Sequence, residues 1–482
     1  MRLRLIVCVV AALALVAALF GCGASTEQAR PGNSYSGRSD TRPRISGGTG
    51  VSTARAAAKA TANEVDYYGR KAFKLTNGLV TLIAVPAMGG RIMEYNLGGH
   101  AFLWVNKQQL RGSTDVNLAA EASSERSWVN YGGYKVWPAP QSRWGGPPDP
   151  EGSQLDGGKW SGKITAKSGA KCSVEMTSPA DTQATGLQLK RRISLQTGST
   201  GVVITETFKN VSKREVAWSI WGVTQVPGSV EPSEKVSDRA RIFFPLNAGS
   251  KHSDGFFYLL DDPAGQYKKV ANGKVLQTGY AGRPSKVGAD AADGWIAYVD
   301  DMHDLTFVQT YEVTAGADYP DSGSTVQVYT SPEDLSYMEM ETLSPIKTVP
   351  AGEQFSFESH WHCTKLGGPI VKVSGAGAVT KHPTAAKKGD KLTITGELGV
   401  FAPGVLTVEV QDKAGAKLAA SKPLKVTPTR TVSLNATVDM PAGAHAAMVV
   451  LSTDKGKKLG NVAQVPLSAK LAKTTPTPNP ES

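Results

Sequence analysis

Two carboxylates, Glu339 and Glu341, stand two positions apart in the run Tyr337-Met338-Glu339-Met340-Glu341. Alternation of this kind predicts a strand with Tyr337, Glu339 and Glu341 on one face and the two methionines on the other. Like charges that close push one pKa up, and a carboxylate brought toward neutrality can act as a general base. The same pattern also fits two solvated carboxylates on an outward face. A second concentration of chemistry is Tyr131–Pro150, YGGYKVWPAPQSRWGGPPDP. Its proline density argues against a helix and against a central strand, so it reads as a stiffened loop. Trp137 and Trp144 would offer flat apolar faces edged with an N–H, and Lys135, Gln141 and Arg143 would offer donors. That combination matches a pyranose ring, which has C–H faces and a rim of hydroxyls. The alternative is a rigid turn whose tryptophans cap the core.

The elements that must position these groups are strands. Short runs rich in Val, Ile, Thr, Phe and Tyr recur between Gly, Pro, Asn and Asp breaks, and 51 glycines in 482 residues fit many turns. The fold class is therefore all-β. Near the start of the folded part, Ala72–Leu75, Leu79–Val85, Arg91–Leu97 and Ala101–Val105 read as strands, with Asn77-Gly78 as a hairpin turn. The net charge of +11 is peripheral. Six basic and two acidic residues lie in 23–62, and fifteen and seven in 366–482. No nucleic-acid motif accompanies them, so nucleic acid is not an expected partner.

The first 22 residues have a basic start, an apolar run from Leu5 to Phe20 and then Gly21-Cys22, the layout of an export signal. Leu19-Phe20-Gly21-Cys22 resembles the bacterial lipobox, which implies lipidation of Cys22 and anchoring in a cell envelope. An ordinary cleaved signal or an uncleaved anchor is the alternative. Residues 23–63 are poor in large apolar side chains and read as a disordered linker. A large β body follows over 64–366. Tryptophan then vanishes, and seven short alternating runs over 367–470 predict a small immunoglobulin-like β-sandwich, with a disordered tail at 471–482. Cys172 and Cys363 lie in the large body, as a disulfide or as two thiols. His360-x-His362 has no third ligand at convincing spacing, so no metal and no other cofactor are expected.

Several blocks carry a family resemblance. Asn77-Gly78, then Pro86-x-x-Gly89-Gly90-Arg91-Ile92, then LQLKRRISL (187–195), VVITETFKN (202–210), VAWSIWGVTQV (216–226) and EDLSYMEMETLSPIKTVPAGEQFSFESHWH (333–362) resemble the galactose mutarotase-like (aldose 1-epimerase) superfamily. They are closest to its poorly characterised relatives. The resemblance implies a large antiparallel supersandwich over about residues 65–365. It also implies a carbohydrate ligand and a cleft lined by Arg91, Lys135, Trp137, Gln141, Trp144, Gln225, Glu339 and Glu341. In the superfamily a carboxylate takes the anomeric proton while a histidine protonates the ring oxygen. Glu339 matches the carboxylate somewhat better than Glu341. Gln225 stands where the histidine would be and cannot supply a proton, so the acid must be sought in Lys135, His303 or His100. Two functions follow as expectations. One is an envelope-anchored carbohydrate-binding protein with aldose 1-epimerase-like activity; the other is a non-catalytic glycan-binding or structural envelope protein.

Overall fold

The computed structural model describes residues 58–110, 129–144, 155–231, 236–261 and 265–467. Cys22, the signal segment, most of the linker, the Gly145–Pro150 part of the tryptophan-rich run and the tail lie outside the described residues. Among the described residues, two antiparallel sheets of thirteen and ten strands make the large body, and sheets of four and five strands make the small sandwich. The all-β supersandwich followed by a small β-sandwich is thus the observed architecture.

Turn chemistry sets the strand order locally. At Asn77-Gly78 the glycine takes φ +85°, and Asn77 Oδ1 accepts from the N–H groups of Leu79 and Val80 at 3.0 and 3.1 Å. Asn77 Nδ2 also donates to the Gln196 and Ser199 carbonyls, at 2.6 and 2.7 Å. A hairpin turn on one sheet is thereby tied to a hairpin on the other. Trp361 fills the space between the sheets, with Tyr134, Phe307 and Tyr95 rings packed against it at 5.1, 5.1 and 5.7 Å. Beside them the Arg191 guanidinium is buried on the Glu206 carboxylate, Nε to Oε1 2.6 Å. Cys172 and Cys363 are buried free thiols.

Four expectations are corrected. The sheet starts at Ala60, inside the expected linker, because Ala60 and Ala62 point inward and are fully buried. Small side chains that read as linker composition are what this close-packed position takes. Ala101–Val105 is not a strand; it reduces to a two-residue His100–Ala101 pairing and an isolated bridge between Val105 and Gly132. Tyr134–Ala139 is a central strand despite Pro138. The Pro138 carbonyl faces away from the neighbouring Val216–Pro227 strand and accepts from Trp144 Nε1 at 2.9 Å, so the missing N–H breaks no rung. Finally, among the described residues the small sandwich has nine strands, including Gly377–Lys388, which holds Pro383 at a register shift.

The small sandwich is packed on the large one. The Phe401 carbonyl accepts from Thr200 N at 2.8 Å, and the Phe401 ring stacks on His362 at 4.5 Å. One apolar cluster contains Phe243, Trp295, Val299 and Leu366 from the large body and Ile370 and Phe401 from beyond it.

Candidate functional site

Five strands run side by side in the thirteen-stranded sheet: Val326–Thr330, Tyr337–Leu343, Val216–Pro227, Tyr134–Ala139 and Arg91–Leu97. Directly opposed residues share a face. Gln327, Glu341, Val223 and Lys135 form one row, and Tyr329, Glu339 and Gln225 form the next. Trp221 and Trp137 form a third, and Lys286 lies opposite Tyr329 on the following strand. The other face is core. Met338 and Met340 are fully buried there, and Thr224 Oγ1 accepts from Gln309 of the second sheet at 2.6 Å.

Both carboxylates are engaged by cations. Glu339 Oε1 accepts from Gln225 Nε2 at 2.9 Å and from Lys135 Nζ at 3.4 Å. Glu341 Oε2 accepts from Trp221 Nε1 at 2.6 Å and from Lys286 Nζ at 2.9 Å. Burial raises the Glu341 pKa to about 7, with Glu339 adding to the rise and Lys286 opposing it. Burial also lowers the Lys135 pKa, against the pull of Glu339 and Asp156. Burial thus brings Glu341 near neutrality, although the motif match points to Glu339 as the base.

Three side-chain oxygens on this face, Gln225 Oε1, Gln327 Oε1 and Glu341 Oε1, are buried with no donor among the described residues. Each of these residues is fully buried. A buried acceptor left without a partner costs about 1–3 kcal/mol, so these three oxygens are where an added donor would gain most.

Asp156 holds the opposite end of the site. Its carboxylate takes Arg91 Nη2 at 2.8 and 2.9 Å and Trp137 Nε1 at 2.6 Å. It reaches them because the chain around it lies tight on Gly89-Gly90: a Cβ on Gly89 would fall 1.6 Å from the Asp156 carbonyl oxygen, and one on Gly90 2.3 Å from Trp160. The glycines are required at these two positions by close approach and by φ of +66° and +60°.

The tryptophans do not form open platforms. Trp137 carries the Lys135 ammonium on its ring at 4.1 Å and meets Trp221 and Trp144 edge to face at 5.4 and 6.0 Å. Both Trp137 and Trp144 are core members, 7% and 5% exposed. Gln141 sits half-buried on the turn beyond the strand and makes no side-chain hydrogen bond among the described residues. His100 and His303 do not join the carboxylates either; both meet Asp300. Burial lowers the His100 pKa, the opposite of what an acid at neutral pH needs.

Sequence reasoning missed Asp156, Trp221, Lys286, Gln327 and Tyr329. Trp221 was within reach, since it shares the parity of Gln225 in VAWSIWGVTQV. The others depend on knowing which strands become neighbours. A groove of about 1280 Å³ begins where the two central strands end, at Pro227 and Ser336, and is lined by Trp104, Tyr68, Arg283 and Glu333 among others. Its lining stops short of the carboxylates.

Residues 71–364 match the model of the family described as a domain of unknown function, DUF4380. The chain belongs to that family. The DUF4380 region contains every residue of the wall just described. No curated protein matches the sequence. Solved structures similar to this one include a galactose mutarotase-like protein from Clostridium acetobutylicum, with 13% identity, 64% of this chain and 99% of that chain covered, and a TM-score of 0.44. A galactose mutarotase-like protein from Lactobacillus casei has 9% identity, 61% and 99% coverage, and a TM-score of 0.39.

Proposed function

We propose that the face around Glu339 and Glu341 binds an uncharged sugar and that Glu341 exchanges a proton with its anomeric hydroxyl. The observation that carries this reading is the set of donorless buried oxygens on Gln225, Gln327 and Glu341, which hydroxyl groups would satisfy. Arg91, Lys135 and Lys286 balance Asp156, Glu339 and Glu341, so among the described residues the site has no surplus charge to recruit an acidic ligand. In the catalytic form of the reading, Glu341 takes the proton from the anomeric O–H and the electron pair forms the carbonyl. The bond from that carbon to the ring oxygen breaks, and Lys135, made more acidic by burial, protonates the ring oxygen. Rotation of the aldehyde and reversal of the steps gives the other anomer.

Gln225 favours a second reading, a non-catalytic sugar-binding protein, since it stands where the resemblance places an acid. The test combines calorimetry and exchange NMR on a panel of neutral aldoses and short oligosaccharides, with Lys135→Met beside the wild type. Sugar binding with accelerated anomer exchange in the wild type, both diminished in Lys135→Met, supports the catalytic reading; binding without acceleration leaves the second. Failure of every sugar to bind removes both.

The Leu19–Cys22 motif supports a lipid-anchored protein of a bacterial envelope, facing the periplasm or the exterior. Among the described residues no helix is long and apolar enough to cross a membrane. Metabolic labelling with an alkyne fatty acid in a bacterial host checks the anchor. Label is expected in the wild type and not in Cys22→Ser, and equal labelling of both would reject it.

A further inference from the structure

We propose that His100, Asp300 and His303 form a site for a divalent transition-metal ion that clips the two large sheets together. His100 follows the Gly98-Gly99 turn at the end of the Arg91–Leu97 strand, in the thirteen-stranded sheet. Asp300 ends the Trp295–Asp300 strand of the ten-stranded sheet, and His303 lies in the turn after it. Asp300 Oδ2 is 3.3 Å from His100 Nε2 and 2.8 Å from His303 Nδ1, and one ligand atom from each residue lies within 4.8 Å of the others. Four ligands at about 2.0–2.1 Å in a tetrahedron stand about 3.3 Å apart, so the three donors need little movement to share an ion.

The carboxylate is held for the purpose. Asp300 Oδ1 accepts from the N–H groups of Met302 and His303 at 3.0 and 3.1 Å, which leaves Oδ2 facing both imidazoles. The turn is pinned in its own right, with the Asp301 carboxylate on Arg241 and on Gly368 N, and Lys365 Nζ on the His303 carbonyl. Such outer contacts orient a ligand before an ion arrives. Lys365, close enough to oppose a cation, has Asp304 at 3.7 Å. Asp300 is buried, whereas the His100 and His303 side chains are 24% and 48% exposed, so a solvent molecule can take the remaining position. Two imidazoles and one carboxylate suit zinc or a neighbouring first-row ion and not calcium or magnesium, which take oxygen ligands. The expectation of no metal rests on His360-x-His362, where the spacing is local. Here two hundred positions separate His100 from its partners.

The experiment uses the full chain, freed of any affinity tag and stripped with chelator, titrated with zinc by calorimetry and with cobalt by visible absorption. One equivalent per chain, the absorption of a low-symmetry nitrogen–oxygen site and a higher thermal unfolding midpoint are expected. His100→Ala and His303→Ala should each weaken binding about tenfold or more and remove the thermal shift. His360→Ala should change neither. His303 is half-exposed on a turn, so its removal leaves the core intact. Absence of one-equivalent binding, binding that survives both histidine variants, or binding lost in His360→Ala overturns the proposal.

Discussion

Glu341→Gln is expected to slow anomer exchange by about 10²–10⁴-fold, the usual contribution of a positioned base, while sugar binding persists. The amide can still accept from Trp221 Nε1 but cannot take up a proton. In the wild type the exchange rate should rise as pH passes about 7, where Glu341 ionises, and that limb should be missing from the variant. Stability gives a second, activity-free reading of the same group. Its pKa moves from 4.5 unfolded to about 7 folded. The folded state therefore binds more protons than the unfolded one in that window, and stability from this group is complete below about pH 4.5 and is lost as pH rises through 7. The shift corresponds to about 3 kcal/mol. Urea denaturation at pH 5 and pH 8 should show a loss that Glu341→Gln largely lacks. An equal loss in both proteins would show that Glu341 is not the group held near neutrality.

The second large effect lies in the core. Arg191→Met should destabilise the fold by about 3–5 kcal/mol, because Glu206 then remains buried without its counter-charge. Arg191 donates through Nε to Glu206 Oε1 and through Nη1 to the Gly90 carbonyl, and its guanidinium lies 4.5 Å from the centre of the Tyr134 ring. Burial already raises the Glu206 pKa against the pull of Arg191. An acid whose folded pKa is raised costs stability as pH climbs, so the deficit of Arg191→Met should grow with pH. Arg191→Met with Glu206→Leu should recover most of it, since no charge is then left in the apolar interior. A single variant within about 1 kcal/mol of the wild type, or a double variant no better than the single, would reject this account.

Much of the frame was legible because period two is a strong signal. Glu339 and Glu341 against Met338 and Met340 separate into a polar and a core face, and a hairpin turn does form at Asn77-Gly78. The sites of failure have physical causes. Proline density hid the Tyr134–Ala139 strand, since a sequence does not show that the Pro138 rung faces away from the neighbouring strand. Alanines at 60 and 62 looked like linker because composition says nothing of how closely the layer beneath them packs. The candidate site was half visible. Lys135, Gln225 and Glu339 could be named, but Lys286 and Gln327 enter only through strand order, and Asp156 only through the fit of its backbone on Gly89.

The seam under Phe401 changes what the tail-end sandwich can do. Trp295 and Phe243 bury their rings against Leu366, Ile370 and Phe401, so swinging one body about the other would drag aromatic surface into water. The joint between the two bodies is therefore stiff. Whatever this end of the protein touches, it presents at a fixed angle to the carboxylate wall, as a bracket holds a shelf, and a chain cut after residue 366 would come away with an oily wound.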